Sequence, residues 1–548
     1  RNSNLKRCHI IKYVVVVLIL SFCFVVLYSL HNGHEGFKAD TSFKTLSSQK
    51  TVSAVTWNIA AINNNPFEYW ITADSNNYDV IMQKVSRFVD APGLNDIPIH
   101  KVFTDQMLIE LLKEFQRNHI FGSNETASIW YGDLRNRKII SEFIKDPLLG
   151  KKRLISMPDR ITNTIHTDSG SILMRPTVVN CYQAELNSVS EWWTRWKHYM
   201  FRTDIPQKHG QDKIYSLIPK IEKSKYPSIS EKEEPISIPL SILSLALFDS
   251  ILVHMMNQID RDSWQLIRRD ICKKCNFHKN ERIIEILLST YRNSDVIFLQ
   301  EVSGRFFKNL NDDNVRNTFD IVESDFLDPN RDQNSFILLK KGKYMNVQEV
   351  TEPILRILRN VTEKNFKNPI VPGDLIAVTA IDRDDKARYL FASFHGDTNG
   401  LATIPVVQAV HYFASNFQPM TKLMFGLDAN TYTKPEKDQL GVTEFATFLR
   451  SKNLNSCYGE YPNPFNFTTF HARTHLQAQL NKAVALEERK AKGDRNPKDF
   501  ILFFKADFQV IETWKDNTGY REYIEEMVFP TYKFPSDHGI TSTILQIK

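Results

Sequence analysis

Residues 422–432 read KLMFGLDANTY, an apolar run that stops abruptly at Asp428 and Asn430. A short apolar run bounded by Gly and polar residues predicts a buried strand, and its two-residue period places Asp428 and Asn430 on one face at the carboxyl end. The same pair also reads as an Asx turn, in which each side chain bonds only its own backbone. Four other apolar runs stop in the same way. Residues 54–59 end around Asn58, residues 296–302 end around Glu301, residues 390–394 run into His395 and Asp397, and Phe534 leads into Ser536, Asp537 and His538. Strands that deliver Asn, Glu, Asp and His to one edge make a site for a hard cation with a general base beside it.

In chain order the segments are TWNIA (56–60), FLQEV (298–302), SFHGDTNG (393–400), GLDANT (426–431), KDFILF (498–503) and PSDHGIT (535–541). This series resembles the endonuclease/exonuclease/phosphatase superfamily, which is similar in fold to DNase I and the abasic-site endonucleases. No single segment is diagnostic; together and in order they point to the superfamily and say little about the substrate. The resemblance implies an α/β protein, a four-layered α/β sandwich, that hydrolyses phosphate esters with a divalent metal.

It also implies roles. Glu301 would bind Mg²⁺ or Mn²⁺, with Asn58 and Asp537 as further metal-site residues, because small hard cations favour oxygen ligands. Asp428 would orient or deprotonate the attacking water, and Asn430 would donate to the phosphorane oxygens. His538, held by Asp499, would polarise the phosphate as imidazolium or act as base, and His395 would support the phosphate from the other side. Arg473 suits a bidentate phosphate contact. It lies with His471 and His475 in residues 465–483, a polar stretch that reads equally as a solvated loop entering a helix.

The chain has 548 residues, ordinary apolar (42%) and charged (24%) fractions and a net charge of +6, which together describe a globular protein of one or two domains. So mild a charge permits an anionic substrate without requiring one. Residues 13–30, YVVVVLILSFCFVVLYSL, carry no charge and follow Arg1, Lys6, Arg7 and Lys12. That length spans a bilayer core and the basic flank predicts a cytoplasmic tail at 1–12, a signal anchor at 13–30 and a stalk at 31–50. Residues 51–548 are then the catalytic domain, luminal or extracellular. Signal cleavage and secretion is the alternative reading. Sequons at Asn124, Asn360 and Asn466 agree with that compartment. Cys181, Cys272, Cys275 and Cys457 permit two disulfides of unreadable connectivity, a local Cys272–Cys275 bond or free thiols being preferred to a metal knuckle.

Asn58 and Glu301 are separated by 243 positions. A structureless loop of that size does not occur inside a compact domain, so residues from about 63 to 293 predict an insertion with its own, mainly helical core. Residues 103–115, 240–259 and 283–291 have helical periodicity, and residues 224–239 read as a mobile loop. Residues 79–86, DVIMQKVS, echo DVIFLQEVS at 295–303 but offer Lys84 in place of a carboxylate, so they predict an amphipathic helix. Trp192, Trp196 and Tyr199 form a helical stripe best read as core.

For the substrate, nucleic acid is favoured over lipid or inositol phosphates, making the chain a nuclease or phosphodiesterase before a lipid-directed phosphatase. GLDANTY lacks the Trp and Arg that flank the corresponding motif of the inositol-polyphosphate 5-phosphatases. Asp499 lacks the aromatic-Arg context of many nucleases, which leaves the substrate class open. An inactive membrane-anchored binding protein is the reading from a different class. No protein partner is predicted.

Overall fold

The computed structural model describes residues 50–548 apart from 74–76, 168–169, 208–209, 305, 311, 323, 329–330, 332, 362–369, 417–419 and 479. The expected anchor at 13–30, the tail, almost all of the stalk, and Thr362 of the Asn360 sequon lie outside the described residues.

The strands in chain order are β1 (Thr51–Asn58), the short hairpins β2–β3 (Thr164–His166 and Ile172–Met174) and β4–β5 (Asp204–Gln207 and Gly210–Lys213), β6 (Val296–Val302), β7 (Phe319–Val322) and β8 (Asn334–Lys340). They continue with β9 (Tyr344–Glu349), β10 (Leu375–Asp382), β11 (Arg388–His395), β12 (Lys422–Asp428), β13 (Leu454–Ser456), β14 (Asp499–Phe504), β15 (Phe508–Asp516) and β16 (Ile540–Ile547). Two six-stranded sheets result, ordered β15-β16-β1-β6-β8-β7 and β13-β14-β12-β11-β10-β9. The central pairs β1–β6 and β11–β12 are parallel. The antiparallel neighbours β16 and β14 begin where β1 and β12 end. The carboxyl ends of β1, β6, β11 and β12 and the amino ends of β14 and β16 therefore lie at one edge of the sandwich.

The sheets pack face to face. Val52, Ala54, Phe298 and Ile337 of the first meet Val378, Phe391, Met424 and Ile501 of the second. Gly426 is required there, because a Cβ would stand 2.3 Å from the Phe298 ring. On the outer face of the second sheet, Leu423, Phe425 and Leu427 pack against the helices Thr403–Asn416 and Val442–Ser451. The run 423–427 is apolar throughout because both faces of β12 are covered. The outer face of the first sheet, with Val55, Trp57, Ile297 and Leu299, is covered by helices that follow β1. The layers thus run helix, sheet, sheet, helix.

Between β1 and β6 the helices include Asn77–Asp90, Asp105–Arg117, Val189–Arg202, Ser237–Asp260 and Lys279–Ser289. Thr104 caps the second of these through Met107 N at 3.3 Å, and Ser188 caps the third through Glu191 N at 3.1 Å. Trp193 joins Trp192 and Trp196 in the core. Glu234–Asp260 is, among the described residues, a helix long and apolar enough to cross a membrane, yet 94% of its apolar window is buried inside the fold. A helix apolar on every side finds its place at the centre of a domain.

Four expectations are corrected. The insertion's core is not a separate one: among the described residues its buried apolar side chains form one cluster with the outer face of the first sheet, including Trp57 and Leu299. Residues 224–239 are packed down, with Ile229 and Ile236 buried and Lys152 bonded to Glu233 at 2.7 Å. The disulfide joins Cys181 to Cys272, 91 positions apart, and leaves Cys275 and Cys457 free, because the fold and not proximity in sequence brings the sulfurs together. Among the described residues of 465–483 there is no α-helix, only a 3-10 turn at Leu480–Lys482, and Phe470, Ala472 and Leu476 are buried along an irregular path.

Candidate active site

β11, β12 and β14 place three ionisable side chains side by side, His395 opposite Asp428 and Asp428 opposite Asp499 in the ladder. From the first sheet, Asn58 ends β1 and Glu301 sits in a bulge of β6 between Leu299 and Val302. Glu301 has φ 52°, and the extra residue of the bulge re-aims its side chain toward the sheet edge. Gln300, the neighbour that points inward, is spent on Thr56 (3.1 Å) and Ser393 (3.0 Å).

Asn58 links the carboxylates. Its Nδ2 donates to Asp428 Oδ2 at 2.9 Å and to Glu301 Oε1 at 3.1 Å, while its Oδ1 accepts from Ala60 N at 2.9 Å. Only an oxygen can accept from Ala60, so the amide nitrogen must face the acids. Asn58, expected among the metal-site residues, therefore positions two carboxylates and turns its oxygen away from them. Ala61 N holds the other Glu301 oxygen at 2.9 Å.

His538 lies between two acids. Its Nδ1 is 3.0 Å from Asp499 Oδ2, and its Nε2 is 3.6 Å from Asp428 Oδ2. His395 Nε2 approaches the same Asp428 oxygen at 3.6 Å and Glu301 Oε1 at 3.4 Å. Asp499 is fully buried and accepts from the Thr468 hydroxyl at 2.6 Å. That hydroxyl also accepts from the backbone of Lys498 (2.9 Å) and Asp499 (3.1 Å). Ser536 fixes the loop before β16 by donating to Asn58 O at 2.6 Å and accepting from His538 N at 3.0 Å.

The electrostatics follow from burial and neighbours. Burial opposes the His538 imidazolium, but Asp499 and Asp428 outweigh it and push the group up to about 10. Burial raises the Asp428 carboxyl, yet His538, His395 and Lys498 hold it below the usual carboxylate range. Asp537 is lowered despite burial, by His471, His538 and Lys279.

Glu301, His395, Asp428, Asn430, Asp537 and His538 line one cavity of about 1760 Å³. Asn430 holds φ 48° by bonding its own N–H to Asp428 Oδ1 at 2.9 Å, so the Asx geometry and the site coexist. Asn430 Nδ2 and His395 Nδ1 are buried without a hydrogen-bond partner among the described residues. Arg473 lines the cavity too, but its guanidinium is ion-paired with Glu68 and lies 5.4 Å over the Tyr69 ring. The expected bidentate phosphate contact would have to compete with Glu68.

Whether these residues fit a divalent cation turns on which carboxylate oxygens face the cavity. Asp428, Asp499 and His538 present ligand atoms within 4.8 Å of one another. Asp499 is an unsuitable ligand, because it is absent from the cavity wall and its oxygens serve His538 and Thr468. Glu301 fits: each oxygen accepts one hydrogen bond, its side chain is 19% exposed to the cavity, and a carboxylate oxygen has a second lone pair.

Thr468, Lys498 and Lys279 are site residues that sequence reasoning missed. Lys498 is buried, pairs with Asp494 at 3.4 Å and lies 5.3 Å over the Tyr432 ring. A lysine just ahead of a buried strand was the available signal for Lys498; nothing local distinguishes Thr468 or Lys279.

A family profile described as "Domain of unknown function (DUF8234)" matches residues 96–269. No curated protein matches the chain. Among solved structures, the chain is similar to the human Nocturnin catalytic domain with bound sulfate, at 16% identity and TM-score 0.32, covering 49% of this chain and 86% of that one. It is similar to D. rerio TDP2 complexed with single-strand DNA product, at 12% identity and TM-score 0.31, covering 48% and 90%. An endonuclease/exonuclease/phosphatase family protein from Bacteroides thetaiotaomicron gives 14% identity and TM-score 0.31, covering 50% and 92%. Scores of this size assign neither a family nor a function to the chain.

Proposed function

We propose that this chain is a divalent-metal-dependent phosphoester hydrolase of the endonuclease/exonuclease/phosphatase type, with nucleic acid as its substrate class. The observation that carries the reading is the unbroken line of contacts from Asp499 through His538, Asp428 and Asn58 to Glu301 along one sheet edge. Glu301 is the residue that would hold Mg²⁺ or Mn²⁺, with Asp537 in the same cavity. A bound divalent cation would supply charge neutralisation at a phosphoryl and leaving oxygen.

The chain's own residues supply the rest. Asp428, kept ionised by its cationic neighbours, orients a water or takes its proton. His538 remains protonated between two acids and stabilises negative charge that develops on phosphate. Asn430 offers an unpartnered amide to the same oxygens, and His395 supports the phosphate beside Glu301. Lys434, Lys490, Lys492 and Arg495, with Phe465 and Phe467, line the wider cavity; Lys490 and Arg495 pair with Glu526 and Lys492 with Glu488, so a polyanion would compete with those acids, while the two rings offer surfaces on which bases can stack.

The test is hydrolysis by the purified chain of single- and double-stranded DNA, RNA, sphingomyelin and phosphoinositides, with EDTA and His538→Ala as controls. Metal-dependent cleavage of nucleic acid, abolished by both controls, is the expected result. Cleavage of lipid alone would replace the substrate class. Turnover indifferent to EDTA and to His538→Ala would remove the mechanism.

A further inference from the structure

The insertion contributes Glu68, Arg160 and Lys279 to the cavity lining. Lys279, the first residue of the helix Lys279–Ser289, is 4% exposed and lines the same wall as Glu301, Asp428 and His538. Its ammonium donates to Ala61 O at 3.3 Å, and the N–H of that same Ala61 holds Glu301. Among the described residues no carboxylate forms an ion pair with Lys279. Of the other buried cations, Arg175 is matched by Asp249 at 2.9 Å and Lys498 by Asp494 at 3.4 Å, while Arg268 donates to the backbone carbonyls of Thr177 and Ala184, both at 3.1 Å. Asp537 and Glu301 attract its charge without reaching it as ion pairs, so of the three ammonium donors one bonds Ala61 O and two have no protein partner among the described residues.

The position of Lys279 is fixed from both sides. Just ahead of it, Asn276 Nδ2 donates to Asn63 O at 3.2 Å and to Asn64 Oδ1 at 3.3 Å, tying the turn 272–277 to the loop after β1. Cys272, at the start of that turn, is bonded to Cys181. The lysine is thus held at the cavity wall by tertiary contacts while its donors are left mostly unused.

We propose that Lys279 is a phosphate-binding residue contributed by the insertion: a phosphate group of the substrate takes the ammonium donors that the protein leaves unused. The assignment rests on the phosphoester reading for its substrate class and gives the insertion a direct part in the site. Loss of one charge-assisted contact should weaken phosphate binding roughly tenfold or more.

The test uses the full chain with EDTA present and inorganic phosphate as the probe. Thermal midpoints should rise with phosphate for the wild type and for Lys279→Arg, and the response should shift to at least tenfold higher phosphate for Lys279→Met. In the wild type alone, phosphate should slow acetylation of Lys279 relative to the exposed Lys101, read by peptide mass spectrometry, so the idea stays testable if Lys279→Met does not fold. A wild-type response retained by Lys279→Met, no phosphate response in the wild type, or labelling of Lys279 indifferent to phosphate would each overturn it. Failure of the hydrolase reading looks different: a Lys279-dependent phosphate response with no turnover of any phosphoester in Mg²⁺ or Mn²⁺.

Discussion

His395 and Asp428 stand in register across the parallel pair β11–β12, with Nε2 3.6 Å from Oδ2, and the ladder continues from Asp428 to Asp499 on β14. Three ionisable groups are thereby spaced by the sheet itself. A one-residue slip of β12 would turn Asp428 to the opposite face and break the line, so backbone pairing sets the geometry of the site.

Glu301 is expected to govern metal dependence. Glu301→Gln keeps an oxygen and loses the charge, so activity should fall at ordinary Mg²⁺ or Mn²⁺ and recover in part as the metal is raised. Titration of rate against metal checks this. An unchanged metal midpoint would mean that the cation is held elsewhere.

Asp499 and Thr468 should separate chemistry from stability. Asp499→Asn removes the charge that holds the His538 imidazolium, and kcat should fall by about 10²–10⁴-fold with no rescue by metal. Thr468→Val keeps that charge but strands the N–H groups of Lys498 and Asp499. Its main effect should be a loss of about 1–3 kcal/mol of stability per stranded donor. Steady-state kinetics and urea midpoints on both variants distinguish the two roles; full kcat in Asp499→Asn would deny Asp499 its part.

Acid should destabilise the fold partly through His411 and His254, both far from the proposed metal site in sequence and both lowered by burial. In each the folded state binds the proton less readily than the unfolded chain. Their contribution is therefore complete above about pH 6.5, the unperturbed value, and is lost as pH falls through the lower folded value. His411→Gln preserves a donor for Lys452 O, which accepts at 3.0 Å, and does not titrate. Urea midpoints at pH 7.5 and 5.5 should converge in this variant relative to wild type, and an undiminished difference would clear His411 of the effect.

Much of the site was legible because its residues end apolar runs. Where a buried strand stops, polarity changes abruptly, and Asn58, Glu301, His395, Asp428 and His538 each mark such a change in the one-dimensional pattern. Helices of the insertion were legible for a similar reason, since the periods of Asp105–Arg117 and Val189–Arg202 are local properties.

What the linear order left open depends on contacts between residues hundreds of positions apart. The amide of Asn58 could have been a ligand; its bonds to Ala60, Glu301 and Asp428 make it a bridge. Arg473, which in sequence suits a phosphate contact or a solvated loop equally, is ion-paired with Glu68, 405 positions away. Cys272 pairs with Cys181 and not with its near neighbour Cys275. Lys279 looks like any helix-opening lysine, and only the docking of the insertion onto the loop after β1 buries it in the cavity wall. Which strands end in polar side chains is readable from the residue order, because burial periodicity is written residue by residue. Tertiary structure alone decided which of those side chains are partnered, because the partner of a buried charge is chosen by packing in three dimensions and leaves no local trace.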